Sequence, residues 1–154
     1  MRLPSCLVDT NVLLRIAKRD DPLFPVASQA IDLLLASQTP LFYTFQNIAE
    51  MWNVMTRPLE RNGFGLTLEN AAAEVRVIES AMRMLPEDES SYRHWRSLLS
   101  IYKICGLQVH DTRLVAAMVA QGVQHILTFN TSHFARFGEI HTIRPQDVPQ
   151  NARS

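Results

Sequence analysis

The sequence predicts an α/β protein: three layers, α/β/α, built around a short and mostly parallel central sheet. Three observations carry that expectation. Short unbroken apolar runs recur along the chain, as buried strands require. Segments of helical periodicity stand between them throughout, the alternation of a βαβ protein. Polar residues, acids among them, adjoin the ends of several runs, and right-handed crossovers gather the carboxyl ends of the strands on one edge.

The first run, Cys6-Leu7-Val8, leads into Asp9-Thr10-Asn11, and Val12 to Ala17 begins a helical pattern. This is a buried strand, a sharp turn at Asp9 and a helix capped by Thr10 or Asn11. Asp9 is itself either a cap or a carboxylate at a strand's carboxyl end, where open α/β sheets bind ligands. Arg19-Asp20-Asp21-Pro22 is a break, and Val26 to Ala36 has the apolar spacing of a second helix. Leu41-Phe42-Tyr43 is a second strand, after which Thr44 caps a third helix that runs to about Thr56 and is stopped by Pro58. Ile48, Met51, Trp52 and Met55 form its core face. Glu50 falls on another face, with Gln46, Asn47, Asn53 and Arg57 nearby at helical spacing. Those residues form either a solvated polar face or the surroundings of a carboxylate turned toward Asp9.

Pro58 to Leu66 is a loop. Its Gly63-Phe64-Gly65 is no dinucleotide fingerprint, because no strand precedes it and Leu68 occupies the third glycine's position. Thr67 caps a fourth helix through about Met82, and Met84-Leu85-Pro86 is a short third strand. Glu87-Asp88-Glu89 and Ser90 open a fifth helix, where negative charge suits the amino terminus. Its core face is Tyr92, Trp95, Leu98, Leu99 and Tyr102, with Gly106 as C-cap. Asp111 stands where the next helix begins, either as its N-cap or as a further strand-end acid, and Gly122 closes that helix. His110 beside it is a candidate base or a local hydrogen-bond partner. Val123 to Leu127 supplies another strand, followed by Thr128 and Asn130, and Ile140 to Ile143 supplies an edge strand before Pro145.

At 154 residues the chain is expected to form a single domain over 1–148, with 149–154 a disordered tail. Lys+Arg and Asp+Glu balance at 15 each, so a nucleic-acid partner would need a local basic patch rather than bulk charge. Cys6 and Cys105 share no metal-like spacing and make no disulfide framework, which points to a reducing, cytoplasmic setting. No signal-peptide core or membrane span is present in the sequence, so no membrane partner is expected. The P-loop of an NTPase is absent.

Acids gathered at one sheet edge repel one another, and a divalent cation would neutralise them. Carboxylate oxygens and water suit Mg²⁺ or Mn²⁺, and no His/Cys set suggests zinc. Arg57, Arg61 and Arg113 are candidate phosphate contacts, although surface solvation or helix salt bridges explain them equally well.

Four segments carry a resemblance: Leu7-Val8-Asp9-Thr10-Asn11-Val12-Leu13-Leu14, Asn47-Ile48-Ala49-Glu50, His110 to Ala117, and Leu127-Thr128-Phe129-Asn130-Thr131-Ser132-His133-Phe134. In this order and in a chain of this size they resemble the PIN domain, above all the VapC-type toxins of toxin–antitoxin pairs. The resemblance implies a Mg²⁺- or Mn²⁺-dependent ribonuclease, a homodimer, and an antitoxin whose tail blocks the site. Asp9, Glu50 and Asp111 match that family's first three acids. The fourth position falls on Asn130, and a further acid often found before the Phe is His133 here. A neutral amide holds a second metal less well, so one well-bound ion is expected, with Asn130 orienting a ligand or water. Thr128 would buttress the acids, and Thr10 and Asn11 would shape the turn. Two other readings stay open: a catalytically weak PIN-like scaffold that binds RNA or a protein, and a metal-dependent small phosphoester hydrolase. A haloacid-type phosphatase is disfavoured, because Asn11 stands where such enzymes carry a second Asp.

Overall fold

A computed structural model describes residues 2–148, and the expected tail, 149–154, lies outside them. The elements are β1 (Cys6–Val8), α1 (Thr10–Ile16), α2 (Phe24–Ala36), β2 (Leu41–Tyr43), α3 (Phe45–Thr56), α4 (Leu68–Ala81), β3 (Arg83–Met84), α5 (Glu89–Ile101), α6 (Gln108–Gln121), β4 (His125–Leu127) and β5 (His141–Ile143). The strands form one sheet in the order β3-β2-β1-β4-β5. Every pairing is parallel, so the sheet is wholly rather than mostly parallel. No helix among the described residues is long and apolar enough to cross a membrane.

Successive side chains of a strand point to opposite faces. Cys6 and Val8 therefore enter a core shared with α1 to α4, where Leu13, Ala30, Met51, Met55 and Ile78 meet them. Leu7 enters the other core, against Leu98 of α5, Leu114 and Met118 of α6, and Phe134 and Phe137. Burying a residue such as Leu7 completely contributes roughly 1.5–3 kcal/mol, and this three-residue strand does so on both faces. That is the physical reason an unbroken apolar run was needed here.

The helix ends place the polar residues. Asp9, rather than Thr10 or Asn11, is the N-cap of α1, and its carboxylate accepts the Thr10 N–H at 2.8 Å. Thr44 caps α3 through a reciprocal box with Asn47, and Thr67 caps α4. β3 begins one residue earlier than expected, because Phe42 and Tyr43 pair with Arg83 and Met84, and the Leu85 N–H then bonds the Tyr43 carbonyl. Gly106 does not end α5, whose C-cap is Tyr102. It turns the chain at φ +67° just before α6. α6 consequently starts at Gln108, so Asp111 lies inside its first turn and is no cap. Within α5, Leu98 is buried, but Tyr92 is 53% exposed and falls outside the expected core face.

The loop after α3 folds back onto that helix. The N–H groups of Phe64, Gly65 and Leu66 bond the carbonyls of Val54, Arg57 and Met55. A Cβ at Gly63 would run into the Arg57 carbonyl, which explains the glycine.

Candidate functional site

Strand order fixes where a site can form. The chain leaves β1 in one direction toward β2 and β3, then returns to lay β4 on the other side of β1. Such a reversal opens a crevice outside the strands' carboxyl ends. Asp9 follows β1 and Thr128 follows β4, and the Asp9 N–H bonds the Leu127 carbonyl at 3.0 Å.

Thr128 is fully buried and serves three partners. Its hydroxyl donates to Asp9 Oδ2 at 2.8 Å and accepts from Asn11 Nδ2 at 3.2 Å and from the Asn130 N–H at 3.0 Å. Asn11 Oδ1 accepts the Phe129 N–H at 3.2 Å, so Asn11 ties α1 to the segment after β4. Thr10 turns its hydroxyl to α3: it donates to Glu50 Oε2 at 2.9 Å and accepts from Asn47 Nδ2 at 2.9 Å. Gln46 Nε2 donates to Glu50 Oε1 at 2.8 Å and to the His110 carbonyl at 3.0 Å. Both Glu50 oxygens are thus held. Asp111 stands across from them, and its Oδ2 lies 3.3 Å from His133 Nδ1.

These residues line one open cleft of about 390 Å³, in which Asp9, Glu50, Asp111, Asn130 and His133 converge beside Thr10 and Asn11. Burial pushes the Asp9 carboxyl from its ordinary 3.8 up to about 6, with Asp111 and Glu50 adding to the rise, while the Thr128 hydroxyl and Thr10 N–H oppose it. Asp111 is raised too, first by burial and then by Glu50, against the pull of His133. Among the described residues no Lys or Arg forms an ion pair with any of the three acids.

That donor set fits a hard cation: carboxylate oxygens converging on a cleft in which only the His133 imidazole, at Asp111, stands against their charge. The fit is an open one. Among the described residues no three His, Cys, Asp or Glu side chains are drawn together as a ready-made metal cage. Glu50 is held by Thr10 of α1 and Gln46 of α3, and Asp111 leans to His133, so a bound ion would keep water in its shell, as Mg²⁺ does.

The candidate arginines lie elsewhere. Arg113 donates twice to Glu87 Oε2, at 2.8 and 2.6 Å, away from the acids. Arg57 Nη2 donates to the Asn62 carbonyl at 3.0 Å and staples the loop, and Arg61 is exposed in that loop's 3-10 turn. None of the three lines the cleft. His110 contributes its backbone carbonyl to Gln46 and borders a different cavity. Sequence reasoning undervalued Gln46 and Asn47, both buried and neither part of a solvated face. The signals were present: Asn47 stands three residues after the cap Thr44, and Gln46 four before Glu50.

The fold and cleft define a doubly wound α/β protein with an acidic crevice at its topological switch point. The chain belongs to the PIN domain family, whose sequence profile matches residues 6–140. No curated protein sequence matches it. Solved structures share the fold at low identity. FitAB bound to the IR36 DNA fragment has a TM-score of 0.67 at 17% identity over 92% of this chain and 95% of that one. VapBC2 from Rickettsia felis, bound to a promoter DNA fragment, has a TM-score of 0.65 at 13% identity over 90% and 97%. Mycobacterium tuberculosis VapC20, a sarcin–ricin loop cleaving toxin, has a TM-score of 0.60 at 18% identity over 88% and 98%.

Proposed function

We propose that this protein is a Mg²⁺- or Mn²⁺-dependent endoribonuclease and the toxin of a toxin–antitoxin pair, acting in the cytoplasm as a homodimer restrained by a cognate antitoxin. The observation that carries the nuclease reading is the convergence of Asp9, Glu50 and Asp111 on one cleft where, among the described residues, no Lys or Arg pairs with them. PIN family membership supports it. The toxin reading draws support from the relatives, one described as a sarcin–ricin loop cleaving toxin and others solved as toxin–antitoxin assemblies on DNA.

Asp9 and Asp111 would hold the ion directly, with Glu50 direct or through water. When bound, the ion supplies Lewis-acid charge to the scissile phosphate and lowers the pKa of an attacking water. The chain's own part is orientation. Thr128 fixes one Asp9 oxygen and the Thr10 N–H the other, while Thr10 and Gln46 fix Glu50. Both carboxylates are therefore positioned before substrate arrives, which spares reorganisation during the reaction. Asn130 offers a neutral amide at the rim and orients a ligand or water there.

Purified protein is incubated with a pool of structured RNAs and with para-nitrophenyl phosphate, in Mn²⁺, in Mg²⁺ and in excess chelator. Cleavage of RNA alone, and only with metal, supports the proposal. Hydrolysis of the small ester without RNA cleavage favours a phosphoester hydrolase. RNA binding without cleavage under any metal favours a scaffold.

A further inference from the structure

A second cavity, about 520 Å³, opens between the first turn of α5 and the first turn of α6. Tyr92 and Trp95 of α5, Val109, His110 and Arg113 of α6, and Glu87 form its walls. We propose that it receives a nucleobase of the RNA strand beside the scissile phosphate, an inference that rests on the nuclease reading above.

The walls suit a flat aromatic ring. Tyr92 is a large ring left 53% exposed, and it stands beside Trp95 with ring centroids 6.2 Å apart. Trp95 is held in place, since its Nε1 donates to the Val109 carbonyl at 2.9 Å. A ring already fixed loses little freedom when a base stacks on it. Arg113 is pinned to Glu87 by two bonds, which presents a planar guanidinium, another surface on which unpaired bases stack. Glu87 Oε1 is buried with no hydrogen-bond partner, an acceptor that a base amino group would satisfy. A phosphate is the wrong occupant, because the carboxylates of Glu87 and Asp88 line the same wall.

The cavity lies next to the acids. Gln46 Nε2 donates both to Glu50, in the acidic cleft, and to the carbonyl of His110, on the cavity wall. His110 borders the cavity and its neighbour Asp111 borders the cleft. The first turn of α6 is thus the ridge between them, and a helix is about 10–12 Å across. A strand laid over that ridge sets one phosphate at the acids and an adjacent base in the cavity.

The test is tryptophan fluorescence of the full chain in chelator, titrated with the four nucleoside 5′-monophosphates and with ribose 5-phosphate. Nucleotides are expected to quench, with a preference among bases, and ribose phosphate is expected to do nothing. Trp95→Phe removes the response while Trp52 remains. Tyr92→Ala weakens binding about tenfold or more, as loss of one base–aromatic stack implies, and Tyr92→Phe retains it. On cleaved RNA, Tyr92→Ala raises KM by a similar factor with kcat kept. Quenching without RNA cleavage supports the base site while the nuclease reading fails. RNA cleavage by a protein that no nucleotide quenches, with unchanged KM in Tyr92→Ala, overturns the base site and leaves the nuclease reading standing.

Discussion

Thr128 Oγ1 donates to Asp9 Oδ2 at 2.8 Å, joining residues 119 positions apart that follow two neighbouring parallel strands. Thr128→Val keeps the shape and removes that donor. It also strands the Asn130 N–H and leaves Asn11 Nδ2 with only its longer, 3.4 Å bond to Asp9 Oδ2. Leaving buried polar groups unmatched costs about 1–3 kcal/mol each, less where water reaches them. Thr128→Val should lower Tm by several degrees, and Thr128→Ser should restore most of it. Equal melting of Val and native proteins would show that the hydroxyl organises nothing.

Asp9 carries a stability signature. Its carboxyl titrates at about 6 when folded, against an ordinary 3.8. The folded state therefore binds this proton more tightly, so the contribution is present below about pH 4 and is lost as pH rises through about 6. Asp9→Asn has no such loss. Without metal the variant should be more stable than the native protein above pH 6, by up to about 3 kcal/mol, and the gap should shrink toward pH 4. Mn²⁺ should raise the native Tm and leave the variant's unchanged. Denaturant titrations across pH check this. A variant less stable at pH 7 would mean that the Asp9 charge is already compensated in the cleft.

His133 competes for Asp111. The contact is 3.3 Å and the His133 side chain is 55% exposed. A half-exposed pair is worth about 0.5–1 kcal/mol. His133→Ala should tighten Mn²⁺ binding about two- to fivefold by calorimetry. Weaker binding in the variant would instead make His133 a contributor to the ion's surroundings.

The two thiols should differ sharply. Cys6 is fully buried, and burial pushes its thiol up to about 12, whereas Cys105 is exposed. The thiolate is the reactive form. Ellman's reagent should titrate one thiol quickly in native protein and the second only on unfolding. Two fast thiols would place Cys6 within reach of solvent.

Much of the fold was legible because its central strands β1 and β2 are unbroken apolar runs packed between the two helical layers. Cys6–Val8 and Leu41–Tyr43 stand where the run alone puts them. Asp9 was legible for the same reason, since it directly follows β1, whereas Glu50 lies within α3 and Asp111 in the first turn of α6, which follows a helix and not a strand. The misses share a cause. Asp111 was open as a cap or a strand-end acid and proves to be neither, because Gly106 turns the chain and α6 starts at Gln108 with no side-chain cap. For Gln46 and Asn47 a wet face and the surroundings of Glu50 both stayed open, because helical spacing records sides, not what lies opposite them. Only the fold brings Thr10 of α1 and the His110 carbonyl of α6 against them. Likewise, nothing local says that Arg113 is taken up by Glu87.

The decisive measurement is single-turnover RNA cleavage in Mn²⁺ by the native chain, by Asp9→Asn, Glu50→Gln and Asp111→Asn, and by the Asp9/Asp111 double variant, each checked for folding. If the three acids act as one unit, each single variant loses about 10²-fold or more. The double variant then loses little beyond the worse single one. Native-like cleavage by any folded single variant at Asp9 or Asp111 would contradict the assignment of this cleft as the site of phosphodiester hydrolysis.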